Sequence, residues 1–493
     1  MNCNIKYNKS SSNCWMSTLI IFSILLFNSS CKKLVETGPQ STSVNADNVY
    51  TNDATAAAVL NGIYTTMSQE AFSDFTGPTA VPLYTGLSSD ELTLYSGVYD
   101  PRFRAYYLNA LQANNAGFEF WNSAYPIIYD ANAAIEGLAA SNALTSAVKQ
   151  QLTGEAKMVR AFFYFYLVNL YGDVPLVLNT NYKANATLAR TPKAMVYKQI
   201  ISDLQDAVST LSTTYVGADA LTATTERTRP TKWAAAALLA RVYLFYGNLS
   251  GDASNYVNAE QQATSIINNS AGYNLVTDLN GVFLANSNEA IWQLQPVIAN
   301  INTQDAQVFI LPETGPSSST ANPVYLSNYL LNSFENGDLR KVDWVSSIKV
   351  SDTTYFYPSK YKIKTVGAPL TEYLMMLRLG EQFLIRAEAR VQQSNLSGAQ
   401  SDLNAIRARA GLANTTANDR QSLLAAILRE RRVELFTEWG HRWLDLKRTG
   451  TVGTVMSVVT PQKGGTWNIS AQLYPLPLTD LRSDPALVQN PGY

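Results

Sequence analysis

Asp90 and Glu91, and a second acidic group at Glu430, Glu434 and Glu438, are the side chains of this 493-residue chain whose type and spacing could do acid–base chemistry. Two carboxylates suffice to cleave a glycosidic bond, without imidazole, thiol or metal. Asp90 and Glu91 are adjacent, however, and on an extended backbone their side chains diverge, which makes a poor pair of acid and nucleophile. In the second group, Arg431 with Glu434 and Glu438 with Arg442 have the three- and four-residue spacing of helical ion pairs, so these carboxylates read as structural. Removing one partner of such a pair costs roughly 3–5 kcal/mol if the other is left buried. His441 is the only histidine. It excludes a multi-histidine metal site, would have to carry any catalytic triad alone, and reads, between Trp439 and Trp443, as a packed imidazole.

Non-covalent capture asks for a different set of residues. A sugar presents patches of C–H surface and a rim of hydroxyls, so its site needs exposed aromatic faces beside carboxylates, amides or arginine. Residues 84–107, YTGLSSDELTLYSGVYDPRFRAYY, lack helical apolar spacing, contain Gly86, Gly97 and Pro101, and set Tyr84, Tyr95, Tyr99 and Phe103 near Asp90, Glu91, Asp100 and Arg102. They read as a ring- and charge-rich loop, with Tyr95 and Tyr99 as stacking platforms, Asp90 and Arg102 as hydroxyl partners, and Tyr84 beside them. The plainer alternative is that these rings only pack the loop onto its scaffold. Phe309, Tyr325 and Tyr329, around the stretch PETGPSSSTANP at 312–323, offer a second wall. Each stacked ring adds about 0.5–1.5 kcal/mol, so two or three suit micromolar to millimolar capture.

The charge balance narrows the field. With 37 Lys and Arg against 38 Asp and Glu, the chain has a formal charge of −1 and no basic field for nucleic acid. Its three cysteines, Cys3, Cys14 and Cys31, all lie in the first 31 residues, so the remainder has no disulfide and no thiolate metal site. Lys6 and Lys9, the apolar run from Leu19 to Phe27, and the small polar residues Asn28, Ser29 and Ser30 form the three parts of a signal peptide over 1–30. A cysteine directly after small residues reads as the acylated Cys31 of a bacterial lipoprotein; the alternative is an ordinary secreted protein with a free thiol. No later apolar stretch is long enough to span a bilayer, so acyl chains on Cys31 are the expected membrane anchor, with 31–45 as a polar tether.

The elements that must position these residues are mostly helical. Apolar positions recur at three and four residues from Val196 to Leu211, with Thr191 and Pro192 as cap and first-turn residue. After a polar loop, TKWAAAALLARVYLFYG follows, with a small alanine face and Gly247 placed to end it. Residues 146–171 form a long helix ending before Gly172, with the rings from Phe162 to Tyr166 as core. Residues 373–393 and 397–410 read as another pair, EAIWQL at 289–294 as a short strand or an extended connection, and 296–370 as loop-rich. Leu424, Ile427, Leu428 and Leu435 define the buried face of the helix before His441.

Four stretches carry a resemblance. GEAKMVRAFFYFYLVNLYGDVPL at 154–176, RLGEQFLIRAEARVQQS at 378–394 with LNAIRARAGL at 403–412, RERRVELFTEWGHRWLDLKRTG at 429–450, and the closing LYPLPLTDLRSDPALVQNPGY resemble, and occur in the order of, the SusD/RagB family of outer-membrane nutrient-binding lipoproteins. The resemblance implies a mainly α fold, with tetratricopeptide-like helix pairs as scaffold, a loop-rich face and a few short strands. It implies one SusD-like domain over 46–493, with ligand-binding insertions near 75–110 and 296–370. It further implies capture of oligosaccharides or a related nutrient without catalysis, and a SusC-like TonB-dependent transporter as partner. The protein would then be lipid-anchored in the outer membrane of a Gram-negative bacterium, facing the cell exterior. No cofactor or metal is called for. The expected site is Tyr84, Asp90, Tyr95, Tyr99, Arg102, Phe309 and Tyr325, with Cys31 lipidated; the competing reading is a glycan hydrolase with paired carboxylates on the same scaffold.

Overall fold

A computed structural model describes residues 49–69, 80–269, 272–319 and 321–493. The signal peptide at 1–30, the lipidation site Cys31, the tether to residue 45 and the first residues of the 75–110 insertion lie outside the described residues. Residues 50–493 form one compact unit.

The fold is mainly α. Its helices are α1 (Asp53–Gln69), α2 (Val81–Ser88), α3 (Pro101–Tyr107), α4 (Glu119–Ala140), α5 (Ser146–Tyr171), α6 (Lys193–Thr210), α7 (Lys232–Ser250) and α8 (Ser254–Ile267). After the irregular region come α9 (Gln304–Phe309), α10 (Leu379–Gln392), α11 (Leu396–Arg409), α12 (Arg420–Glu434), α13 (His441–Arg448) and α14 (Val452–Gln462), with further short turns of helix between them. From α4 to α8 each helix packs on the next; α10 then packs on α8, α11 on α10, and α12 on both. Each pair covers the apolar side of its neighbour, as stacked helical repeats do. The irregular segment between α8 and α10 is thus an insertion into a continuous stack. None of the described helices is long and apolar enough to cross a membrane.

The strands form three antiparallel ribbons: β1 (Leu92–Leu94) with β3 (Val324–Leu326), β2 (Ala290–Leu294) with β6 (Leu374–Arg378), and β4 (Val345–Val350) with β5 (Thr353–Pro358). The β2 strand was expected from EAIWQL. Residues 374–378 were expected to begin a helix and instead pair with β2. LMMLR is a short apolar run whose periodicity suits either state, and its pairing partner lies some eighty residues upstream.

Helix ends differ in instructive ways. Gly172 caps α5 with φ 79°, as its position suggested. Gly247 does not end α7: the helix runs to Ser250 and Gly251 takes the left-handed conformation. Gly247 serves close packing, because a Cβ there would sit 2.7 Å from the Tyr256 ring. α6 is capped at Pro192, one residue later than expected, and the Asp173 carboxylate accepts the Lys193 N–H at 2.7 Å. The buried residues of α12 are Leu423, Ile427, Glu430, Arg431, Val433 and Glu434, so Leu424 and Leu428 are only flanking.

Candidate functional site

The acidic residues that opened the chemical argument are held under α12 and α13. Glu434 accepts from Arg378 at 2.6 Å, from Arg340 at 3.0 Å and from Arg409. Glu438 lies 2.7 Å from Arg378 and 2.5 Å from Lys360. Arg431 reaches Asp445 at 2.7 Å, and Arg442 reaches Asp90 at 2.8 Å. The expected helical pairs Arg431–Glu434 and Glu438–Arg442 therefore do not form. α12 ends at Glu434, and the turn through Thr437, Trp439 and Gly440 runs at positive φ, so Glu438 and Arg442 share no helix. Burial alone would raise the Glu434 carboxyl, but the Arg409, Arg378 and Arg340 guanidiniums outweigh it and hold it well below the ordinary range. His441 is buried, and burial together with Arg241, Arg431 and Arg378 keeps its imidazole neutral far below its usual pKa.

Asp90 and Glu91 diverge to different partners. Asp90 takes Arg432 at 2.8 Å and Arg442 at 2.8 Å; burial works against its charge, but hydrogen bonding to Arg442 and the charges of Arg442 and Arg432 bring its pKa to about 2. Glu91 accepts the Thr437 N–H at 3.2 Å, and burial pushes its pKa up to about 7. The Ser-Asp-Glu sequence is thus a clasp that fastens the early segment to the α12–α13 turn.

Residues 84–107 are not the open loop expected. They comprise α2, β1 and α3, because Asp100 caps α3 by accepting the Arg102 N–H at 2.8 Å and Pro101 starts it. β1 then brings the two expected walls together. It pairs with β3 so that Thr93 stands opposite Tyr325, and the Tyr95 N–H extends the ladder to the Pro323 carbonyl at 2.8 Å. Leu92, Leu94, Val324 and Leu326 face the core, so the alternate residues Thr93, Tyr95 and Tyr325 share the outward face. Tyr355 of β5 lies edge-on between the two rings, 6.2 Å from Tyr95 and 5.1 Å from Tyr325. Tyr107 at the end of α3 neighbours Tyr325 and Tyr329; burial raises its hydroxyl to about 12 while a bond with Thr93 opposes the rise.

A cleft of about 340 Å³ opens beside these rings, lined by Thr93, Tyr107, Tyr329, Asn328, Asn332 and Lys463, with Asp90 among its lining residues. Tyr329 donates to the Gln462 side chain. Lys463 sits 4.9 Å from the Tyr107 ring and donates to the Leu87 carbonyl at 2.7 Å; burial lowers its pKa to about 7 against the pull of Asp90. The cleft combines flat rings with amide, hydroxyl and amine donors, which is the composition a hydroxyl-rich ligand requires.

The seven expected residues fare differently. Tyr95 and Tyr325 are brought together, Asp90 lines the cleft, and Tyr99 projects with 83% of its surface exposed. Tyr84 is buried and stacked on Tyr106 at 4.2 Å between centroids, so its ring belongs to the core. Arg102 pairs with Asp100 at 3.0 Å. Phe309 is buried beside a void of about 10 Å³, room for about one water, and lines no open wall. Tyr355, Tyr107, Asn328, Asn332 and Lys463 were not anticipated. The alternation in TTYFYP could have marked Tyr355, whereas nothing local in the sequence connects Lys463 to residue 90. Among the described residues no three His, Cys, Asp or Glu side chains gather as a metal site.

Comparison with known proteins agrees with this architecture. Residues 32–244 match a family model described as starch-binding and associating with the outer membrane, and residues 343–493 match the model of the SusD family. A SusD-like protein of Bacteroides ovatus is 26% identical over 87% of this chain and 81% of its own length. A SusD homolog from Bacteroides thetaiotaomicron superposes with a TM-score of 0.77 at 19% identity, covering 92% of this chain and 99% of the other. A laminarin-binding SusD-like protein superposes at 0.72 with 22% identity, over 90% of this chain and all of the other. The chain belongs to the SusD/RagB family.

Proposed function

We propose that this protein captures oligosaccharides at the outer membrane and passes them on without breaking a bond. The observation that carries the reading is the convergence of both insertions on one outward face, where Tyr95, Tyr325 and Tyr355 meet beside a polar cleft. Similarity to a laminarin-binding relative and to surface glycan-binding proteins of Bacteroides supports the ligand class. Two or three rings at about 0.5–1.5 kcal/mol each suit an affinity weak enough for release. The carboxylates whose protons are held highest, Glu91 and Asp305, are buried rather than set in the cleft, which favours binding over hydrolysis.

The same proposal includes acylation at Cys31, exposure on the cell exterior, and hand-over to a SusC-like TonB-dependent transporter. Titration against a panel of neutral and acidic oligosaccharides, with parallel analysis of reducing ends, tests the capture step. Saturable binding without new ends supports it; turnover sinks it. Mass spectrometry of the mature N-terminus, protease shaving of intact cells and co-purification test the anchor, the orientation and the partner respectively.

A further inference from the structure

We infer that the captured glycan is acidic, bearing a carboxylate or sulfate ester that seats on an arginine cleft adjoining the polar cleft beside the tyrosine face. The inference rests on the capture reading above and adds the charge of the ligand to it.

A second cleft, of about 520 Å³, is lined by Arg429, Arg432 and Arg442 together with Glu335 and Asn332. Asn332 lines both clefts, and Asp90, which lines the first, is bonded to Arg432 and Arg442, which line the second. The two spaces therefore meet at Asp90. Across both, the charged lining residues are Arg429, Arg432 and Arg442 against Asp90 and Glu335, while Lys463 is turned to the Leu87 and Ser89 carbonyls. Both carboxylates are already engaged: Asp90 serves two guanidiniums at once, and Glu335 is held 2.6 Å from Arg407 of α11.

That arrangement leaves cationic capacity unspent. Arg429 is exposed and lies within salt-bridge distance of no described carboxylate, its charge acting on Glu335 from farther off. Arg432 gives Asp90 one hydrogen bond, from Nη2, and its buried Nε–H finds no acceptor among the described residues. Arg442 binds Asp90 through Nε and Nη2. Nη1 of both arginines is without a hydrogen-bond acceptor among the described residues. Guanidinium forks present planar paired donors that match the oxygens of carboxylate and sulfate. Purely structural pairing would need about one carboxylate per guanidinium, and here one serves two while a third arginine stands by. The rings that line the first cleft are Tyr107 and Tyr329, and Asn332 borders both clefts, so a sugar on those rings has the guanidiniums of the second cleft for neighbours.

The experiment uses the mature full-length chain and matched glycans: an oligouronate with its carboxyl-reduced counterpart, and a sulfated oligosaccharide with its desulfated counterpart, each titrated calorimetrically at low and moderate salt. The acidic member of at least one pair is expected to bind about tenfold or more tighter than its neutral partner, with the difference shrinking as salt rises. The two pairs separate carboxylate from sulfate. Arg429→Glu, on an exposed position, should abolish that preference while leaving the thermal midpoint and the neutral member's affinity unchanged. Equal binding of acidic and neutral members, or an acidic preference that survives Arg429→Glu and equally survives Arg442→Lys, overturns the inference while leaving capture intact. Absence of binding to every member overturns both.

Discussion

The charged interior beneath α12 and α13 and the tyrosine face over β1 and β3 are fastened to each other through Asp90 and Glu91, yet they obey opposite rules. In the interior, Glu434 is buried and met by three arginines from three separate parts of the chain, so each group depends on the others for its charge to be tolerable. On the outward face, Tyr95, Tyr325 and Tyr355 touch only at their edges and keep surface free. The residues with the strongest family signature lie in the first region, and the residues with the surface to meet a ligand lie in the second. A motif dense in acids and arginines therefore marks what holds the site in place.

The sharpest way to break this contrast is Glu434→Ala. It strands Arg340, Arg378 and Arg409 without their shared carboxylate and should cost about 3–5 kcal/mol in urea unfolding. A loss below about 1 kcal/mol would mean the interior network is not the support described. Next comes pH. The unfolded chain releases the Glu91 proton near the ordinary glutamate pKa of about 4.3, whereas the folded chain holds it to about 7. Stability from this group is thus complete below about pH 4 and is lost as pH rises through 7. Its neighbour Asp90, held at about 2, contributes in full above about pH 5 and loses its share only as pH falls below that. Glu91→Gln should flatten this share of the slope in chemical denaturation from pH 4 to 8, and an unchanged slope would remove Glu91 as its source.

On the outward face the expected effects move from stability to binding. Tyr355→Ala should weaken glycan affinity about tenfold by calorimetry, with stability changed by about 1 kcal/mol or less. Tyr99→Ala, at a ring that is almost wholly exposed, should change stability by less than about 0.5 kcal/mol and affinity by about threefold at most. If the order of these two variants were reversed, the binding face would lie over α3 rather than over the two ribbons.

Much of the scaffold was legible because helical periodicity is local. α5 with its terminal Gly172, the body of α6, and the strand at 290–294 follow from spacing alone. The region 84–107 was misread although its signals were present: Asp100 and Pro101 are a cap and a first-turn proline, and Thr93 and Tyr95 alternate with Leu92 and Leu94. Gly86 within α2 masked it, being needed there because a Cβ would sit 2.6 Å from Leu92. The site itself was half legible. Tyr95 and Tyr325 could be named from composition, but their meeting depends on a pairing across more than two hundred residues, and the ion partners of Asp90 lie farther still. Such contacts leave no periodic trace in a single sequence.

The central claim is that carbohydrate is held on the tyrosine face and left chemically intact. Its most direct test is one titration of a glycan that binds the wild-type chain, repeated with Tyr325→Ala/Tyr355→Ala, with reducing ends counted in the same samples. The account predicts at least a tenfold loss of affinity in the double variant, a thermal midpoint only slightly lowered and no new ends in either protein. Undiminished affinity in the double variant, or reducing ends accumulating with the wild type, would contradict it.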